Sequence, residues 1–149
     1  LIDYYEASGE GLAHYASLLV QKGYNYHKHY APHDIAAREL GTGKSRLETA
    51  KNMGINFEIV PQMPVIDGIG AVRGLLSKCW FDKEKCKHGI NVLKQYRKDW
   101  DEKGQRFRDH PLHDWSSNGA DAFRYLCVSY RDKVVKTQGH FVMKSGFKL

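Results

Sequence analysis

The sequence predicts an α/β layered domain with at least part of its sheet parallel. Three observations carry this expectation. Short strand-like runs ("LIDYYEA", "YNYHKHYAP", "NFEIVP") alternate with runs whose apolar residues recur at helical spacing. Gly and Pro fall between the runs, where a chain must turn. The 149-residue length suits one domain with a real core better than two. The order expected is β-α-β-α-β-α, a hairpin-like insertion, then a last helix.

Each element has its own signature. "LIDYYEA" is aromatic and alternating, so it reads as a first strand. Ser8 is placed to cap a helix in which Leu12, Tyr15, Ala16, Leu19 and Val20 share a face, with Gly23 as its stop. "YNYHKHYAP" alternates Tyr24, Tyr26, Lys28 and Tyr30 against Asn25, His27 and His29, and Pro32 ends it. Ile35 to Leu40 reads as a helical turn. Ser45 caps a short helix to Met53, stopped by Gly54, and "NFEIVP" is a third strand. Asp67 is placed to cap a helix through Ile69, Val72, Leu75 and Leu76, and "CWFD" is a short extended piece. Lys85 to Asp99 reads as a basic amphipathic helix carrying Ile90, Leu93 and Tyr96. "WDEKGQRFRD" pivots on Lys103-Gly104 as a hairpin. Ser116 to Tyr130 is the last helix, with Ala120, Phe123, Leu126 and Cys127 on its apolar face. The core domain is thus placed at residues 1–130, with 131–149 a basic tail, at most partly ordered.

Composition narrows the function classes. With 42% hydrophobic and 27% charged residues, and no long apolar run, the chain reads as a globular protein with no membrane partner. A net charge of +6, concentrated in Lys83 to Arg108 and in the tail, points to a polyanionic partner such as DNA; a solvated helix face is the plainer reading of the first cluster. Three cysteines, Cys79, Cys86 and Cys127, match no zinc-knuckle spacing and read as buried thiols in a reducing compartment. His27 and His29 share a strand face without further ligands beside them.

Two phosphate chemistries compete between Ala31 and Ser45. A Walker A loop with Gly43-Lys44-Ser45 at its end needs glycine at position 38, which is Arg38, so that match fails. Lys44 and Arg46 remain candidate contacts to a DNA backbone. Metal-assisted phosphodiester cleavage instead needs carboxylates converging from different elements on two ions. Asp34, just beyond a strand, and Asp121, beside the apolar stripe of the last helix, suit that arrangement. A carboxylate near an apolar face needs a partner or a metal, unless it is simply a first-turn Asp favoured by the helix dipole.

These residues belong to recognisable motifs. "HDWSSNGADAFRYL" (His113 to Leu126) resembles the last motif of the nuclease domain of phage terminase large subunits, the motors that package viral DNA. "YAPHDIAARELGTGKSRLETAKNMG" (Tyr30 to Gly54) resembles that family's middle motif, and "IDYYEASGEGLAHYASLL" its second strand and following helix. The resemblance covers residues 1–130 in the family's order. It implies an RNase H-like fold of the resolvase type, with a mixed central sheet flanked by helices. It also implies a Mg²⁺- or Mn²⁺-dependent endonuclease that cuts concatemeric double-stranded DNA in the cytoplasm of a bacterial host. The portal protein and the small terminase subunit are the partners it implies.

Carried over residue by residue, the resemblance makes Asp34 the middle acidic ligand and Asp121 the last. His33, Asp114 and Arg124 lie inside the matched motifs as candidate supporting residues. Asp114 reads either as a supporting carboxylate or as a cap. Arg124, one turn from Asp121, is placed to pair with an acid or with DNA phosphate. The family's first acid sits on a strand that would precede "LIDYYEA", so the expectation is an incomplete metal site, weak or absent nuclease activity and a tendency to dimerise. Two other readings stay open: a junction resolvase of the same chemistry, and a non-catalytic DNA-binding or docking module using the Lys83 to Arg108 surface.

Overall fold

The last long helix organises the molecule. The computed structural model describes residues 1–138, in the order α1 (Leu12–Lys22), β1 (His29–Ala31), a 3-10 turn (His33–Ala36), α2 (Arg46–Asn52), β2 (Phe57–Ile59), α3 (Val65–Leu76), α4 (Lys87–Gln95), β3 (Lys98–Asp101), β4 (Arg106–Pro111) and α5 (Ser117–Gln138). Helix α5 packs against α3, α4 and β1. Its Phe123, Cys127 and Val128 bury against Val60, just after β2, and Ala71 of α3. Tyr30, Met63, Val72, Leu75, Phe81 and Leu93 close the margins of this core. Apolar burial at roughly 25 cal/mol per Å² makes it the principal favourable contribution to folding.

The α/β class is as expected, and so is the parallel pairing. β1 and β2 run parallel, with His29 opposite Phe57 and Ala31 opposite Ile59. β3 and β4 form the antiparallel hairpin, Trp100 opposite Phe107. Among the described residues these are two separate two-stranded sheets, where a mixed central sheet was expected.

The N-terminal run departs most from expectation. Residues 1–7 are not part of any strand. Leu1 fixes this segment through its ammonium to the Trp80 carbonyl and through its own carbonyl, which accepts from the Asp82 N–H at 2.9 Å. Its alternating aromatics serve packing instead of a ladder. Tyr4 lies in a notch between α4 and α5 that only glycine permits: a Cβ on Gly89 would come within 2.7 Å of the Tyr4 ring, and one on Gly119 within 2.9 Å of a Val92 methyl and closer still to the Tyr4 hydroxyl. Asp3 is tied to Lys22 and Tyr24, and Glu6 to Tyr4 and to His88 at 2.6 Å.

Several boundaries move for local reasons. Gly11 precedes α1 in place of Ser8, whereas Gly23 ends it as expected, at φ 65°. The second strand shortens to three residues. Pro64 precedes α3, and Asp67 falls in its first turn as a dipole-favoured acid. α4 stops at Gln95 because Tyr96 turns extended and feeds β3. Leu126, expected in the core, is 44% exposed, while Val128 takes the buried position. α5 continues through the first part of the expected tail to Gln138; residues 139–149 lie outside the described residues.

Candidate functional site

Asp34 is delivered by a strand that ends in a proline. β1 stops at Ala31, Pro32 holds an extended conformation (φ −65°, ψ 161°), and the chain folds at once into the 3-10 turn His33–Ala36. The Ile35 N–H donates to the Pro32 carbonyl at 3.2 Å and the Ala37 N–H to the Asp34 carbonyl at 3.0 Å, which closes the turn. Asp34 and His33 are both exposed on it. The turn packs on α2, whose start is fixed by a complete capping box. Ser45 Oγ accepts from the Glu48 N–H at 3.1 Å, and the Glu48 carboxylate accepts from the Ser45 N–H at 2.8 Å. These bonds hold the Glu48 carboxyl below its ordinary pKa. Ser45 is therefore a helix cap, as its sequence context predicts.

Asp121 is held quite differently. It lies half-buried in the second turn of α5, and the Arg124 guanidinium donates to its Oδ1 from Nε at 3.2 Å and from Nη2 at 2.9 Å. Arg124 is 6% exposed and lies over the Tyr125 ring, 4.8 Å from the centroid. Its aliphatic stem crosses α3 at Gly68, where a Cβ would come within 2.7 Å of Arg124 Cδ. A buried arginine thus neutralises the acid from its own helix, and a glycine on the neighbouring helix makes room for it. The spacing of Arg124 from Asp121 signalled the pairing; nothing local to Gly68 signalled its part.

Tyr96, read from the sequence only as part of an amphipathic helix, belongs to this cluster. Burial, and then the Asp121 carboxylate, push its hydroxyl above the ordinary phenol pKa, against a smaller opposing effect of Arg124. Asp114 has a structural job at the head of α5. Its Oδ1 accepts from the Ser116 N–H at 2.9 Å and from the Ser116 hydroxyl at 2.6 Å, and its Oδ2 meets Arg97 at 3.2 Å. The Ser116 contacts, with Arg97, lower its carboxyl pKa. Lys44 and Arg46 are exposed, and Arg46 reaches Glu39 at 3.5 Å.

Packing of α5 on β1 places Asp121's helix against the strand that leads into Asp34. The donor chemistry is right for a hard divalent cation, since both are carboxylates. The set is short, however. Among the described residues no group of three or more His, Cys, Asp or Glu side chains is placed to hold a metal ion, and Asp121 is already engaged by Arg124. Two carboxylates fall below the converging set that a two-ion centre requires. The cation-rich stretch Lys83 to Arg108 leaves Lys83, Lys85, Lys87, Lys94, Arg97 and Lys98 exposed on α4 and its flanks. Among the described residues no helix is long and apolar enough to cross a membrane. Comparison with known proteins adds no relative: no family model, no curated protein and no solved structure matches the chain.

Proposed function

We propose that this chain is part of the nuclease domain of a DNA-packaging terminase, an RNase H-like endonuclease acting on double-stranded DNA with Mg²⁺ or Mn²⁺. The observation that carries the reading is the packing of the helix that bears Asp121 on the strand that leads into Asp34. Pro32-His33-Asp34 follows β1 directly, and Asp121 rides on the helix that packs against β1. Asp34 thus lies three residues beyond the strand on which the helix of Asp121 packs, and carboxylate-dependent phosphodiester chemistry draws its acids from separate elements in this way. Because these acids alone are fewer than that chemistry uses, the chain by itself cuts weakly. The host-cell cytoplasm, the portal protein and the small terminase subunit belong to the same proposal and rest on the resemblance alone.

The test is nicking of supercoiled plasmid at high protein concentration with Mn²⁺ or Mg²⁺. The proposal predicts slow nicking that Asp34→Asn and Asp121→Asn each abolish. A second reading, a non-catalytic DNA-binding module, is favoured by the engagement of Asp121 by Arg124. It predicts salt-dependent DNA binding indifferent to both substitutions and no nicking with either metal.

A further inference from the structure

The loop between the 3-10 turn and α2, which carries the candidate backbone contact Lys44, is a built projection. Arg38 and Ser45 pair as an antiparallel bridge at its base. Inside it, the Glu39 N–H donates to the Lys44 carbonyl at 3.0 Å, and the Gly43 N–H to the Glu39 carbonyl at 2.8 Å. The Arg38 guanidinium reaches the Gly43 carbonyl at 3.3 Å, and Gly43 supplies the positive φ of 65° that the turn needs. Buried Ser45 and its capping box anchor the base. At the tip stands Leu40, fully solvent-exposed, followed by Gly41 and Thr42; a Cβ on Gly41 would touch nothing within 4 Å.

Among the described residues Leu40 is the most exposed large apolar side chain, and a closed, hydrogen-bonded loop holds it there. Its surroundings say what such a tip could meet. Arg38, Lys44 and Arg46 are all exposed on the stem, where Glu39 and Glu48 oppose them in part. The residues that follow Leu40, Gly41 and Thr42, are small and Glu39 before it is polar, so the apolar tip is a single side chain, whereas a protein-docking face would present a broad apolar area. Narrow apolar tips with cationic stems fit the minor groove of DNA, about 6 Å wide, where a leucine can wedge between base steps and the cations meet flanking phosphates.

We propose that the 38–45 loop is a minor-groove wedge: Leu40 parts a base step while Arg38, Lys44 and Arg46 hold the phosphates on either side. This rests on the DNA-processing reading and adds to it the mode of duplex engagement, four residues beyond Asp34. The test titrates the full chain, in EDTA so that no cleavage intervenes, into a short duplex carrying 2-aminopurine. Wild type raises the fluorescence as bases unstack. Leu40→Ala removes the rise and weakens binding about fivefold or more, with the salt dependence unchanged, whereas Leu40→Phe keeps the rise. Lys44→Gln keeps the rise but lowers the slope of log affinity against log salt by about 1. A Leu40→Ala protein that binds and unstacks like wild type overturns the proposal. So does one that changes only the sedimentation of the chain, since Leu40 would then serve a protein contact. A chain that binds no duplex overturns both readings; duplex binding without the wedge signal, alongside Asp34-dependent nicking, overturns this one alone.

Discussion

Asp121 and Asp34 occupy regions built on opposite terms. Around Asp121, helix α5 touches α3, α4 and β1, a buried arginine holds the acid, and glycines at 68, 89 and 119 let side chains cross where a methyl would collide. Around Asp34 the chain is a four-residue turn and an exposed loop, fastened mainly at Ser45. Under the proposed function the difference separates two tasks. A preorganised acid needs a rigid platform, whereas a surface that must meet a long polymer has to project.

Substitutions should divide along that line. Gly119→Ala carries the largest expected effect, because its methyl meets both Tyr4 and Val92 across a closed helix contact; a loss of about 3 kcal/mol is expected in urea unfolding. Arg124→Met leaves Asp121 without its partner while filling similar volume, and should cost about 2 kcal/mol in the same assay. Ser45→Ala removes the capping box and should cost about 1 kcal/mol. Asp34→Asn and Leu40→Ala should each stay within about 0.5 kcal/mol of wild type, so that any functional loss they show is not a folding loss. Equal losses in the two regions would erase the contrast.

Stability should also depend on pH at both ends of the scale. The Tyr4 hydroxyl and His88 hold the Glu6 carboxyl below its ordinary pKa of 4.5, and Lys22 does the same for Asp3 from 3.8. Groups depressed on folding stabilise above their unfolded pKa, so this contribution is complete above about pH 5 and fades as acid protonates them. Burial beside Cys79 raises the Cys127 thiol from 9.0 to about 11. The folded state therefore keeps that proton longer than the unfolded chain, and stability falls as pH rises from 9 toward 11. Thermal melts from pH 3 to 11 should show a plateau between these flanks; Cys127→Ala should remove the part of the alkaline fall that begins near pH 9 and leave the part above pH 10, where the raised Tyr4 and Tyr96 hydroxyls act in the same direction.

Local chemistry made part of this architecture legible. Ser45 with Glu48 three residues on, Gly23 after an apolar helical run, and Lys103-Gly104 between strand-like flanks each carry their own geometric instruction, and each formed. "LIDYYEA" had a strand's pattern but not a strand's partner, and pairing is decided by what lies alongside in space. Tyr4 instead answers to Gly89 and Gly119, more than eighty residues away. The same holds within the candidate site. Arg124 could be matched to Asp121 by spacing, yet its burial depends on a glycine in α3. The exposed Leu40 was unreadable because a leucine among cations gives no sign of which way a loop points.

If Asp34 and Asp121 hold one metal ion together, as proposed, paramagnetic broadening by Mn²⁺ reaches both. In a two-dimensional amide spectrum of the full chain, substoichiometric Mn²⁺ should broaden the signals around Asp34 and around Asp121 in parallel. Asp34→Asn or Asp121→Asn should each remove the broadening at both places. Broadening confined to one acid, or unchanged by either substitution, would mean that the two acids do not share a metal ion.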